Sequence, residues 1–107
     1  MSAEPSPTLL TVGAITIDAA RYTVHVDEEP IALTKTEFGI LHALVTSEGR
    51  VLTRTQLIEQ AIGDNTVVTE RTIDVHVTSL RGKLGSAREM VETVRGVGYR
   101  LSISDCR

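Results

Sequence analysis

Side chains able to neutralise phosphate cluster in one stretch of this sequence. Arg71, Arg81, Lys83, Arg88, Arg95 and Arg100 fall between positions 71 and 101, against Asp74, Glu89 and Glu92. Positions 1–70 hold 4 basic and 10 acidic residues, and the whole chain of 107 residues carries a net charge of −3. A local positive excess inside an acidic chain is what displacing counterions from a nucleic acid requires, and asymmetry between the halves points the same way. An excess of this size is also common on an ordinary solvated surface. Elsewhere the reactive residues do not assemble. His25, His42 and His76 lie on different elements, with no glutamate spaced for a zinc motif and no Gly-x-Ser-x-Gly elbow. Arg95-Gly96-Val97-Gly98-Tyr99 has two glycines of a dinucleotide fingerprint, but it lacks the third and opens no helix. We therefore expect no enzyme, no metal, no cofactor and no small-molecule substrate. Cys106 has no intramolecular partner, which favours a reducing, cytoplasmic setting.

The elements that must position these cations can be read from periodicity. Between residues 9 and 33, Ile15 and Ile17, then Tyr22, Val24 and Val26, then Ile31 and Leu33 alternate with polar residues. That is the period of strands with one buried face, here an antiparallel meander of three or four strands with a turn at Asp27-Glu28-Glu29-Pro30. Thr34-Lys35-Thr36-Glu37 fits a capping box and opens a helix through Phe38, Leu41, Leu44 and Val45, stopped by Gly49. After a brief extended link at Val51-Leu52, Thr53 and Gln56 repeat the cap, and Leu57, Ile58, Ala61 and Ile62 stripe a second helix ended by Gly63. Asp64 to Val68 reads as a loop. Thr69 then caps a third helix through about Leu84, stopped by Gly85. Met90 to Val94 and Tyr99 to Ile103 close the chain as a hairpin around Arg95-Gly96-Val97-Gly98. The order predicts an α+β fold: an N-terminal antiparallel meander, three helices of which the last two make a helix-turn-helix, and a C-terminal hairpin wing.

On a helical wheel the third helix divides cleanly. Ile73, Val77, Leu80 and Leu84 share one arc and form the core face. Arg71, Val75, Thr78 and Gly82 lie opposite, with Ser79 close by; Thr72, His76 and Lys83 flank one side, Asp74 and Arg81 the other. A helix fits the DNA major groove, where arginine meets guanine or phosphate, hydroxyls meet either, and a valine methyl packs on thymine. An amphipathic helix with an undistinguished solvated face fits the same wheel and is the commoner case.

Four blocks taken together resemble the OmpR/PhoB winged-helix family, the DNA-binding output domains of two-component response regulators. They are Leu33 to Phe38, Arg50 to Leu57, Arg71-Thr72-Ile73-Asp74-Val75-His76-Val77, and Thr93-Val94-Arg95-Gly96-Val97-Gly98-Tyr99-Arg100. The resemblance runs from about residue 9 to residue 103. It implies that the third helix enters the major groove, with Arg71, Val75 and His76 at positions that touch DNA and Arg81 near the backbone. It implies a phosphate contact at Thr93 and a minor-groove contact for Arg95. Thr72, Thr78, Ser79 and Lys83 complete the expected DNA-binding set. The loop containing Asp64, Asn65 and Thr66 corresponds to the segment that meets RNA polymerase in activators. Double-stranded DNA carrying direct repeats, bound by a head-to-tail homodimer, is the partner so implied.

Departures from the family pattern thin the cationic surface. Thr78 and Ser79 stand where many relatives carry arginine or lysine, Gly82 replaces a polar or basic residue, and Ile62 replaces a frequent tryptophan. Modest affinity from a single domain is therefore expected. The alternative is a winged-helix module that binds protein without DNA, which the acidic first half also fits. Residues 1–8, rich in Pro and Ser, read as a flexible linker or expression remnant, with no basic n-region or apolar h-region of a signal peptide. Residues 9–103 read as the folded domain and 104–107 as a tail. The acidic pocket of a phosphoaccepting receiver does not fit in this length, so the reading is a fragment of a longer regulator or an orphan domain.

Overall fold

A computed structural model of the chain describes residues 9–47, 49–62 and 70–102. The expected cap Thr69, the loop residues Asp64, Asn65 and Thr66, the stop at Gly63, Cys106 and both terminal segments lie outside the described residues.

Four short strands open the fold: β1 (Leu9–Val12), β2 (Ile15–Asp18), β3 (Thr23–Val26) and β4 (Glu29–Ile31), paired antiparallel in chain order. The alternation does what the sequence requires, burying Ile15, Ile17, Val24 and Val26 on one face. Asp18 closes the β2–β3 connection by accepting the backbone N–H groups of Ala20 and Arg21 on Oδ1. The β3–β4 turn is tighter than the sequence suggested. Asp27 and Glu28 both adopt positive φ (52° and 72°), the backbone of a two-residue type I′ hairpin turn. Pro30, expected in that turn, pairs with His25 in β4 instead, at a sheet edge where its missing N–H costs little.

The first helix, α1 (Lys35–Thr46), starts at the expected capping box: Thr34 Oγ1 accepts from Glu37 N at 3.1 Å, and Thr34 N donates to Glu37 Oε1 at 3.0 Å. Its stop is Ser47, the C-cap residue, whose hydroxyl donates to Leu44 O; Gly49 follows with φ 88°. Strand β5 (Leu52–Thr53) occupies the expected extended link, and α2 (Arg54–Leu57) begins at the second capping box, Thr53 with Gln56. The second helix departs from expectation. After four residues it widens into a π-helical segment, Ile58–Ile62, so the regular stripe ends at Leu57.

Helix α3 (Glu70–Leu84) packs Ile73, Val77, Leu80 and Leu84 into the core at 0–1% exposure, against α1. Gly85 ends it with φ 60°, and a 3₁₀ segment, Gly85–Met90, leads into β6 (Val91–Val94) and β7 (Gly98–Leu101). The 3₁₀ segment carried no periodic signal, and β7 starts and stops earlier than the sequence suggested. The hairpin is not alone either. Leu52 pairs with Tyr99 and Thr53 with Gly98, making a three-stranded sheet in the order β5-β7-β6. Gly98 allows this approach, because a Cβ there would overlap Leu52 O and lie 2.8 Å from Thr53 Cα. Among the described residues the result is an α+β winged helix, with α2 and α3 as its helix-turn-helix and β6–β7 as its wing.

Candidate nucleic-acid interface

Burial of the apolar arc fixes which way every other α3 side chain points. Val75 is 61% exposed, and Arg71 and Thr78 are exposed beside it. Arg71 has no hydrogen-bonding or ionic partner among the described residues. Thr78 spends its hydroxyl proton on Asp74 O at 3.0 Å, one turn back. Thr72 and His76 are half-buried on the flank. At the tip of the wing Arg95 is exposed and likewise unpartnered among the described residues, beside Gly96 (φ 79°) and Val97, 46% exposed.

The other expected contacts sit in a different setting. Ser79 Oγ donates to Glu37 Oε2 at 2.6 Å, and Lys83 Nζ donates to Glu37 Oε1 at 2.7 Å. Glu37 is 2% exposed, so both residues tie α3 to the start of α1. Burial pushes the Glu37 carboxyl up, but hydrogen bonds from Lys83, Ser79 and the Thr34 N–H, with the charge of Lys83, outweigh it and bring the pKa down to about 2.

On the opposite flank a second set of contacts joins α3 to the wing. Asp74 Oδ1 accepts the Tyr99 hydroxyl at 2.6 Å and Arg54 Nε at 2.7 Å. The Tyr99 bond, then the Arg54 bond, hold the Asp74 carboxyl below its usual range, while burial first and Asp74 second raise the Tyr99 phenol. Tyr99 is 5% exposed, with the Arg54 and Arg81 guanidinium carbons 5.5 and 5.7 Å from its ring centroid. Arg81 donates through Nε to Val91 O at 2.9 Å and through Nη2 to Thr93 Oγ1 at 2.6 Å. The basic residue and the hydroxyl expected on phosphate are thus bonded to each other across the α3–β6 junction.

Sequence reasoning missed Glu37, Asp74, Arg54 and Tyr99 as residues that position this surface. A signal existed for Glu37 alone: a capping box uses one carboxylate oxygen, leaving the second to find a partner. Nothing in the spacing linked Asp74 to Tyr99, 25 positions away. Among the described residues no group of His, Cys, Asp or Glu could hold a metal ion, and no helix is long and apolar enough to cross a membrane.

Comparison with known proteins identifies relatives of the chain. Residues 28–101 match the family described as "Transcriptional regulatory protein, C terminal". The phosphate regulon transcriptional regulatory protein PhoB of Pseudomonas aeruginosa is 42% identical over 94 residues, covering 87% of this chain and 41% of that protein. Transcriptional regulatory protein VxrB of Vibrio cholerae is 45% identical over 87 residues, covering 81% and 35%. The chain therefore spans about two fifths of the length of the curated relatives it matches. Among solved structures, the DNA-binding domain of the response regulator AdeR in complex with an intercistronic region superposes with TM-score 0.73 at 37% identity, covering 82% of this chain and 93% of that one. The Klebsiella pneumoniae RstA DNA-binding domain in complex with the RstA box gives 0.75 at 31% identity, covering 88% and 96%.

Proposed function

Because the chain belongs to the family of C-terminal domains of transcriptional regulatory proteins, we propose that it binds duplex DNA sequence-specifically as the output domain of a two-component response regulator. Helix α3 lies in the major groove, Arg71 and Val75 meet base edges, Thr72, His76 and Thr78 border them, and Arg95 reaches into the adjacent minor groove. Direct repeats occupied by a homodimer, contact of Asp64, Asn65 and Thr66 with RNA polymerase, and a cytoplasmic location belong to the same reading. One observation carries it. Arg71, on the outward face of α3, and Arg95, at the wing tip, are exposed without partners among the described residues, while Arg54, Arg81 and Lys83 are engaged. Relatives with this fold are described as DNA-binding domains in complex with DNA.

The test is binding to a duplex enriched by this chain from a randomised pool. Arg71→Ala costs about 1–3 kcal/mol of affinity and relaxes preference at the bases it reads, and Arg95→Ala weakens binding most where the flanking minor groove is narrow. Unchanged affinity in the double variant, with the fold intact by circular dichroism, removes the proposal. Affinity for a protein partner that ignores salt would replace it with the protein-binding reading, since phosphate neutralisation falls steeply as salt rises.

A further inference from the structure

On the reading that α3 enters a duplex, we propose that the groove between the C-terminal half of α3 and the 3₁₀ segment seats a DNA backbone phosphate on Arg88. The argument begins with length. Fifteen residues of α-helix extend about 22 Å, while the major groove is about 12 Å wide. A helix whose first turns meet base edges must cross a phosphate strand farther along. On the outward face of α3 the residues there are Thr78 and Gly82, neither a cation, and the hydroxyl proton of Thr78 is already given to Asp74 O.

The missing charge comes from the neighbouring segment. Thr78, Arg81, Gly82, Arg88, Glu89 and Val91 line an open groove of about 500 Å³. Gly82 adds no side chain to this lining, and a Cβ there would meet nothing within 4 Å. Arg88 is exposed and has no hydrogen-bonding or ionic partner through its side chain among the described residues. Its carbonyl accepts the Val91 N–H, which anchors the backbone beneath it. Arg81 spends two of its five N–H donors on Val91 O and Thr93 Oγ1, leaving three for a ligand. The carboxylate of Glu89 lies in the same groove, so the charges sum to +1, which suits a single phosphodiester.

The experiment uses the full chain with two probes: the duplex it enriches from a randomised pool, and a scrambled duplex of the same composition. Arg88→Gln weakens both by a similar factor, roughly fivefold at physiological salt, and flattens the slope of log K against log salt by about 0.9. Arg88→Lys recovers most of both effects. In ethylation interference, one phosphate that matters to the native chain ceases to matter to Arg88→Gln. Gly82→Glu, which places a carboxylate in the groove while favouring helix, weakens binding at least as much with no loss of thermal stability. An Arg88→Gln variant with native affinity, salt slope and interference pattern, alongside a native chain that binds and an Arg71→Ala variant that binds more weakly, overturns this inference and leaves the proposed function standing. A native chain that retards neither duplex overturns both.

Discussion

The flanks of α3 and its outward face use similar side chains and leave them in opposite states. Ser79 and Lys83 are bonded to Glu37 on one flank, and Asp74 to Arg54 and Tyr99 on the other. Arg71 keeps its donors unspent among the described residues, and so does Arg95 at the wing tip. Thr78 and Ser79 are neighbours in sequence, yet a turn of about 100° sends one hydroxyl to its own helix and the other to α1. Polar residues on this helix thus divide into latches that fix its angle and a free surface that the angle presents. Charge count alone cannot separate them: Lys83 contributes to the basic excess of residues 71–101 but is held by a carboxylate that is 3% exposed.

The hardest blow to that division is Gly98→Ala. The added methyl overlaps Leu52 O and crowds Thr53 Cα, so β5 must move away from β7, pulling Arg54, which follows β5, from Asp74 and uncovering the strand that carries Tyr99. We expect a loss of about 3 kcal/mol or more in folding stability, read by urea or thermal melts. Any DNA binding that survives should depend on Arg71 and no longer on Arg95. A variant as stable as the native chain would mean the wing sheet does not hold this flank.

Next in size is Glu37→Gln, which keeps the shape of the α1–α3 latch and removes its charge. The folded Glu37 pKa of about 2 lies below that of an unfolded carboxylate, so its stabilisation is full above the unfolded value and fades as pH falls toward 2. By linkage this amounts to at most about 3 kcal/mol at neutral pH. The variant should lose about 2 kcal/mol at neutrality and show a shallower acid-induced loss. Asp74, also held low, contributes its own decline in both proteins; the difference between the two curves isolates Glu37. Parallel curves from neutral to acid pH would show that Lys83 and Ser79 do not latch the helix through charge.

Much of this was legible in the sequence because it is local. Period-two alternation gave the meander, two capping boxes gave the starts of α1 and α2, and the wheel gave the buried arc of α3 without error at Ile73, Val77, Leu80 and Leu84. What escaped is non-local or without period. The pairing of Leu52-Thr53 with Gly98-Tyr99 joins residues more than forty positions apart, and two residues are too few to show alternation. The π-helical widening after Leu57 leaves the composition of a helix unchanged. The latches escaped for a further reason: Ser79, Lys83, Arg81 and Thr93 are residue types that suit phosphate, and only the fold shows that intramolecular partners hold them.

The finest test addresses one bond of the wing-side latch. Tyr99→Phe keeps the ring between the Arg54 and Arg81 guanidinium groups and removes only the hydroxyl that Asp74 accepts. Hydrogen bonds to charged groups contribute roughly 1.5–3 kcal/mol, but the Asp74 side chain is 43% exposed and water can replace the lost donor. A cost of about 1 kcal/mol is therefore expected. The Asp74 carboxyl should titrate higher, because one of the two hydrogen bonds that hold it low is gone, and carboxyl-carbon NMR would follow it directly. If stability and the Asp74 titration both stay native, the hydroxyl is no part of the latch. Arg54 would then hold Asp74 alone, tying α3 to α2, and the wing would be held to α3 by the Arg81 bonds to Val91 O and Thr93 Oγ1 alone.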